Sequence, residues 1–311
     1  MSGPSGGPPG GAASGPHGVG KGEAPGAALP AHVATQADLD RIRGAAERVS
    51  VPCGEGEMVW HRWGAGPPVV LLHGGAGSWL HWVRNIAALV AQGRSVWAVD
   101  LPGFGESAPP ATGHDADALG EPVGAALARL LGGAPCDLVG FSFGAMVASF
   151  VAKLAPERVR RLVLVGAPAL EPSTEQTLGL RPWRHMDDPA ERDAAHRHNL
   201  GALMLADADA IDALAIGIQG LNAGRDRMRR RRISRTDVLH RTLPDVRCPV
   251  YGIWGERDAL YIGRAAIVEP ALRAAPGFRR LDWIDGAGHW VQYERSEAFN
   301  RALAAALSAP D

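Results

Sequence analysis

Apolar residues in this chain fall into short, mostly hydrophobic runs separated by longer stretches of helical period. The runs are Val69–Leu72, Val96–Val99, Leu138–Val139, Leu162–Val165, Val250–Trp254 and Leu281–Ile284. Strands buried on both faces read this way. Their alternation with helical patterns at Trp79–Ala91, Ala116–Leu131, Phe143–Leu154 and Ser296–Leu307 predicts an α/β protein with a mainly parallel sheet between layers of helix. Ahead of them, Gln36–Val49 places Leu39, Ile42 and Ala46 at helical spacing. Arg48–Cys53 and Met58–Trp63, joined by the Gly-Glu-Gly turn at 54–56, read as a β-hairpin. One interval breaks the rhythm: residues 171–245 hold helical patterns at Asp188–Leu205 and Asp209–Leu221 but no strand. That is too long for a crossover loop, so a helical cap is expected there, over the carboxyl edge of a core formed by residues 36–170 and 246–308.

Composition alters this picture at one end only. The chain has 311 residues, 46% hydrophobic and 21% charged, which suits a soluble globular protein with a large core and excludes a collagen-like or largely disordered one. Of its 40 Gly and 24 Pro, 10 and 6 lie in residues 1–30, which are therefore expected to form a tail without fixed structure. A formal net charge of −1 provides no field favouring nucleic acid or an anionic membrane. The three cysteines, Cys53, Cys136 and Cys248, are far apart and lack metal-ligand spacing, so neither a disulfide framework nor a metal site is expected. The amino terminus has no signal-peptide pattern, and no apolar run reaches the ~18 residues of a membrane span. A cytoplasmic protein acting on a small molecule is the expectation. Segment Arg225–Arg235 holds seven arginines against Asp226 and reads either as a grip for an anion or partner, or as a solvated cap helix or turn ion-paired to acidic neighbours.

Gly140-Phe141-Ser142-Phe143-Gly144 follows an apolar strand and opens a helix. A serine flanked by glycines on so tight a turn has strained backbone angles and neighbours too close for a Cβ. The turn lifts its hydroxyl off the sheet and aims helix N-terminal amides at the reacting centre. A serine hydroxyl needs a base, normally a histidine oriented by a carboxylate. Asp258 follows strand Val250–Trp254, and His289, after Gly286-Ala287-Gly288, follows strand Leu281–Ile284, giving the chain order Ser142, Asp258, His289. Glu256 is the nearest rival acid. His114, His185, His196, His198 and His240 lie in loop or cap patterns and read as surface histidines. The glycine-rich His73-Gly74-Gly75 ends another strand, and the amides of Gly75 and Phe143 are candidates for an oxyanion hole.

Together these motifs resemble the α/β-hydrolase family over about Val59–Leu307: LLHGG at 71–75, DLPGFGES at 100–107, GFSFG at 140–144, WGERD at 254–258 and GAGHW at 286–290. The resemblance implies an eight-stranded, mostly parallel sheet with an inserted helical cap, and cofactor-independent hydrolysis through an acyl-enzyme. Ser142 stands where dehalogenases and epoxide hydrolases of the fold carry Asp. The ending GHWVQYERSEAFNRALAAAL is similar to the meta-cleavage-product hydrolases, which cut carbon–carbon bonds, and implies Trp290 at the pocket; Gly74 and Phe141 are further pocket candidates. Three positions differ from that subgroup: Ala76-Gly77-Ser78-Trp79 replaces a longer loop, Phe141 replaces an Asn, and Leu214 stands near the expected cap arginine, for which Arg181, Arg184 or Arg225 are candidates. The reading is a carboxylesterase for small to medium, partly apolar substrates, with C–C hydrolysis as the alternative. A non-catalytic ligand-binding protein of the same fold stays open.

Overall fold

The structure, a computed structural model, describes Met1, Gly3 and residues 29–172 and 178–309. The expected tail lies almost wholly outside them. Eight strands form one sheet: β1 (Glu47–Cys53), β2 (Gly56–Trp63), β3 (Pro68–Leu72), β4 (Ser95–Val99), β5 (Cys136–Phe141), β6 (Val159–Val165), β7 (Val250–Gly255) and β8 (Phe278–Ile284). Their order is β1-β2-β4-β3-β5-β6-β7-β8. The hairpin β1–β2 and the pair β2–β4 are antiparallel, and every other pairing is parallel. The predicted α/β architecture is thus the one the chain adopts.

Helices α1 (Gln36–Gly44), α2 (Ile86–Ala91), α3 (Gly120–Leu130) and α4 (Phe143–Leu154) precede the long insertion between β6 and β7. That insertion carries α5 (Pro189–Asn199), α6 (Ala213–Gly224) and α7 (Val238–Thr242), and α8 (Val268–Leu272), α9 (Val291–Glu294) and α10 (Ser296–Ser308) follow it. Alternate strand residues feed two cores. Val70, Leu72, Leu138, Leu162 and Leu164 pack with α3, α4 and α8; Val69, Leu71, Val139, Val163 and Val165 pack with α1, α2 and α10. Apolar side chains are required on both faces, which is why these strands show no alternation.

Three predicted helices come out shorter. α1 begins at a capping box formed by Thr35 and Asp38 and ends by Ala45, because Arg48 and Val49 pair with His61 and Trp60 in the sheet. The Trp79–Ala91 pattern splits into a 3-10 turn, Trp79–Trp82, and α2. Between them the buried Asn85 donates from Nδ2 to the Gln292 carbonyl and to Asn300 Oδ1, both at 2.9 Å. The Ala116–Leu131 pattern starts as a 3-10 turn, Ala116–Leu119, because Pro122 has no N–H to return to the Ala118 carbonyl. In the insertion, α5 runs on into a π-helical turn, Leu200–Met204, and α6 starts later than predicted, capped by Asp212, whose Oδ1 accepts the Ala215 N–H.

Because β3, β5, β6, β7 and β8 run parallel, the loops after them share one edge of the sheet. No helix of the described residues is long and apolar enough to cross a membrane.

Candidate active site

Ser142 joins β5 to α4 with φ +51° and ψ −116°, a conformation L-residues rarely adopt. The glycines beside it are sterically obligatory. A Cβ on Gly140 would sit 2.4 Å from the Gly144 carbonyl oxygen, and one on Gly144 would sit 2.4 Å from that of Leu72. The turn is held by Ser142 N–H donating to the Val165 carbonyl at 2.8 Å. Ser142 itself remains partly exposed.

The loops after β7 and β8 bring the other two predicted residues to it. His289 Nε2 lies 2.9 Å from Ser142 Oγ, and His289 Nδ1 lies 2.8 Å from Asp258 Oδ2. Both His289 and Asp258 are buried, and Asp258 Oδ1 accepts the Leu260 N–H at 2.9 Å. The proton on Nδ1 is therefore shared with a fixed carboxylate, which leaves Nε2 free to accept from the serine. The rival Glu256 is exposed and makes no such contact. Gly166, at φ +50°, passes beneath this pair: a Cβ there would lie 3.2 Å from His289 Nδ1 and 3.3 Å from Asp258 Oδ2.

The glycine loop after β3 packs on the elbow. A Cβ on Gly74 would lie 3.3 Å from that of Ser142, and one on Gly75 would lie 3.7 Å from that of Phe143. Phe143 opens α4, so its N–H has no partner within the helix. The Gly74–Gly75 peptide is oriented by a histidine. His73 Nδ1–H donates to the Gly74 carbonyl at 2.7 Å, while its Nε2 accepts the Leu101 N–H at 2.9 Å. In a trans peptide the N–H points opposite to the C=O, so Gly75 N–H is turned away from His73. The preceding amide, Gly74 N–H, donates to His81 Nδ1 at 3.2 Å. Burial pushes the His73 pKa down to about 4 and that of His81 well below its usual value, so both rings stay neutral in these roles. The sequence motifs assign neither ring this role. The His73-Gly74-Gly75 motif was a legible signal for the first, whereas nothing local pointed to His81.

The three pocket candidates are buried beneath the site. Trp290 has no exposed surface, its indole N–H donates to the His81 carbonyl at 2.9 Å, and its ring stacks on Tyr293. Phe141, also fully buried, packs its ring between His81 and His289. Gly74 is buried as well. They support His289 and the glycine loop and do not face open space. A cavity of about 420 Å³ lies between Leu203, Leu205 and Ala206 of the insertion and Ala259, Tyr261 and Ile262 after β7, lined by Gly288 but by neither Ser142 nor His289.

The arginine-rich segment is a strap across the loop Leu101–Ser107 that ends in a 3-10 turn, Ile233–Arg235. Arg227 Nη2 donates to the Ser107 carbonyl at 2.5 Å, and Arg227 N–H to the Gly103 carbonyl at 2.9 Å. Arg231 pairs with both oxygens of Asp226, at 2.8 and 3.0 Å, and its guanidinium lies 5.0 Å from the Phe104 ring and 5.4 Å from that of Phe143. Arg181, Arg184 and Arg225 stand elsewhere: Arg184 bonds the Ala223 carbonyl and Arg225 faces Glu106 at 3.8 Å, while Arg181 is exposed.

Comparison with known proteins accords with this geometry. The profile of the alpha/beta hydrolase fold family matches residues 67–208. A 2-hydroxy-6-oxononadienedioate/2-hydroxy-6-oxononatrienedioate hydrolase from Paraburkholderia phymatum is 31% identical over 254 residues, covering 76% of this chain and 85% of that protein. A pimeloyl-[acyl-carrier protein] methyl ester esterase from Vibrio campbellii is 34% identical over 127 residues, covering 40% of this chain and 44% of the relative. Among solved structures, a thermophilic esterase from Thermogutta terrifontis superposes with a TM-score of 0.65 at 22% identity, over 84% of this chain and 98% of the other. The chain belongs to the alpha/beta hydrolase fold family.

Proposed function

We propose that the protein is a serine hydrolase that cleaves carboxylic esters of small to medium, partly apolar compounds through an acyl-enzyme. The observation that carries this reading is the unbroken hydrogen-bond chain from Ser142 Oγ through His289 to Asp258. In the proposed reaction Ser142 Oγ attacks the ester carbonyl and gives its proton to His289 Nε2. Asp258 stabilises the imidazolium so formed, and the N–H groups of Gly75 and Phe143 receive the developing oxyanion, helped by the positive end of α4. The alcohol leaves with the proton from His289. A water, deprotonated by the same nitrogen, then releases the acid.

Cleavage of a C–C bond in a vinylogous diketone is the second reading, favoured by the similarity to the Paraburkholderia hydrolase. Leu214 and Phe141, both buried and apolar, argue for the ester. Arg231 near the glycine loop is a cation available to a dienoate carboxylate, but Asp226 already neutralises it.

A serine-reactive fluorophosphonate should label the wild type and leave Ser142→Ala unlabelled. Folded wild type that fails to label would mark a non-catalytic ligand-binding protein. With p-nitrophenyl esters of increasing chain length beside a coloured ring-cleavage dienoate, kcat/KM should favour an ester. A much larger value for the dienoate would replace the first reading by the second.

A further inference from the structure

We propose that Glu294 is a positioning residue for His289, binding the loop that carries this base to the helical insertion. The proposal rests on the reading of His289 as the general base. Both peptide N–H groups beside that residue are engaged: Gly288 N–H donates to Glu294 Oε2 at 2.5 Å, and Trp290 N–H to the Met204 carbonyl at 2.7 Å. Glu294 Oε1 accepts the Asp207 N–H at 2.6 Å. One carboxylate therefore spans two segments of chain, and the Met204 carbonyl spans them again one residue beyond His289. The approach is close. A Cβ on Gly288 would lie 2.7 Å from Ala206 N and 3.0 Å from the Met204 oxygen. Met204 ends the π-helical turn after α5, a geometry that recurs where a helix end is redirected at a functional site.

The chemistry demands a carboxylate. Two N–H donors from different segments converge on its two oxygens, and a carboxylate accepts at both without presenting a donor to either. Glutamine has the same shape but would set its NH2 group against one of the donors, leaving a buried N–H unpaired. Glu294 is 7% exposed, and burial pushes its pKa up while its bonds from Gly288 and Asp207 oppose that shift. The charged groups around it are Arg295 and Asp207, which pair with each other at 3.1 Å, and Arg257 of the loop after β7, which acts on Asp207. Ser142 and Asp258 sit at strand ends of the core, whereas His289 takes part of its position from the insertion.

The test uses the full chain as wild type, Glu294→Gln and the exposed-site control Glu297→Gln, with fluorophosphonate labelling of Ser142 as the readout, since that rate does not depend on which substrate is natural. The labelling rate of Glu294→Gln should fall about 10- to 100-fold, as expected for a displaced catalytic group. Its kcat on a p-nitrophenyl ester should fall alike, with KM near wild type and the control unchanged. Unlabelled wild type would sink the hydrolase reading itself. Wild type that labels beside a folded Glu294→Gln with the same rate would overturn the positioning role and leave that reading intact. If Glu294→Gln does not fold, the wild type decides by NMR. The Gly288 and Asp207 amide resonances should titrate with one midpoint, and the low-field Nδ1 proton of His289 should respond at that midpoint. Amides that titrate apart, or a His289 proton indifferent to them, would overturn the proposal.

Discussion

Gly74 and Gly75 are adjacent in sequence and opposite in what they tolerate. A Cβ on Gly74 would lie 2.9 and 3.0 Å from Phe141 Cε1 and Cδ1 and 3.3 Å from Ser142 Cβ. Ordinary carbon contacts are about 3.5–4.0 Å, so the Gly74→Ala loop must retreat by about 0.5–1 Å. The Phe141 ring cannot yield instead, because it is fully buried and packed against His81, Trp82 and His289. The retreat carries Gly75 N–H away from Ser142, and losing one oxyanion donor costs about 10²–10³ in kcat, or about 3–4 kcal/mol. Overpacking adds about 1–3 kcal/mol of lost stability. On Gly75, by contrast, a Cβ meets Arg231 Nη2 at 3.5 Å and Phe143 Cβ at 3.7 Å, which is normal contact. Gly75→Ala should therefore stay within about 1 kcal/mol of wild-type stability. Urea unfolding of both variants, together with kcat on p-nitrophenyl butyrate and fluorophosphonate labelling of Gly74→Ala, checks the argument. Wild-type labelling by Gly74→Ala, or equal loss of stability in the two variants, would refute it.

Other expectations follow from the same geometry. Asp258→Asn should keep its fold and lose about 10⁴ in kcat, since the amide disfavours the tautomer that leaves Nε2 free to accept, while Glu256→Gln stays near wild type; the reverse in steady-state kinetics would name the other acid. His73→Phe orphans the Leu101 N–H and the Gly74 carbonyl, and should cost about 2–4 kcal/mol in urea unfolding and slow fluorophosphonate labelling; an equally stable, equally reactive variant would show that the ring does not orient the loop. Burial lowers the His61 and His73 pKa values to about 4, so between the usual ~6.5 and 4 the unfolded chain takes up protons that the folded one does not, and stability falls with the pH. His81 and His196, also lowered by burial, add to this, whereas Asp100, raised by burial to about 6, and Glu294, raised likewise, oppose it by taking up protons in the folded state. The histidines outnumber the two carboxyls, so stability should fall as the pH drops below 6. Urea midpoints that stay flat from pH 6 to pH 4.5 would contradict it.

The eight strands, the elbow and the order Ser142, Asp258, His289 were legible because each depends on a few neighbouring residues. The apolar runs of β3 to β7 reflect burial on two faces, and Gly140 and Gly144 mark backbone that excludes a Cβ. Helix ends were less legible: the spacing starts α1 at Gln36 but carries it too far, and the break at Asn85 depends on Gln292 and Asn300, more than two hundred positions on. The same limit applies within the site. Periodicity and turn chemistry could propose two acids for the loop after β7, but only packing brings Asp258 to His289 and leaves Glu256 outside. The neutral histidines that orient Gly74, the burial of Trp290 and the folding of an arginine run into a strap were likewise decided in three dimensions. A residue's own neighbours set its backbone preference, whereas its hydrogen-bond partner and its access to solvent are set by whichever distant segments the sheet and the insertion carry against it.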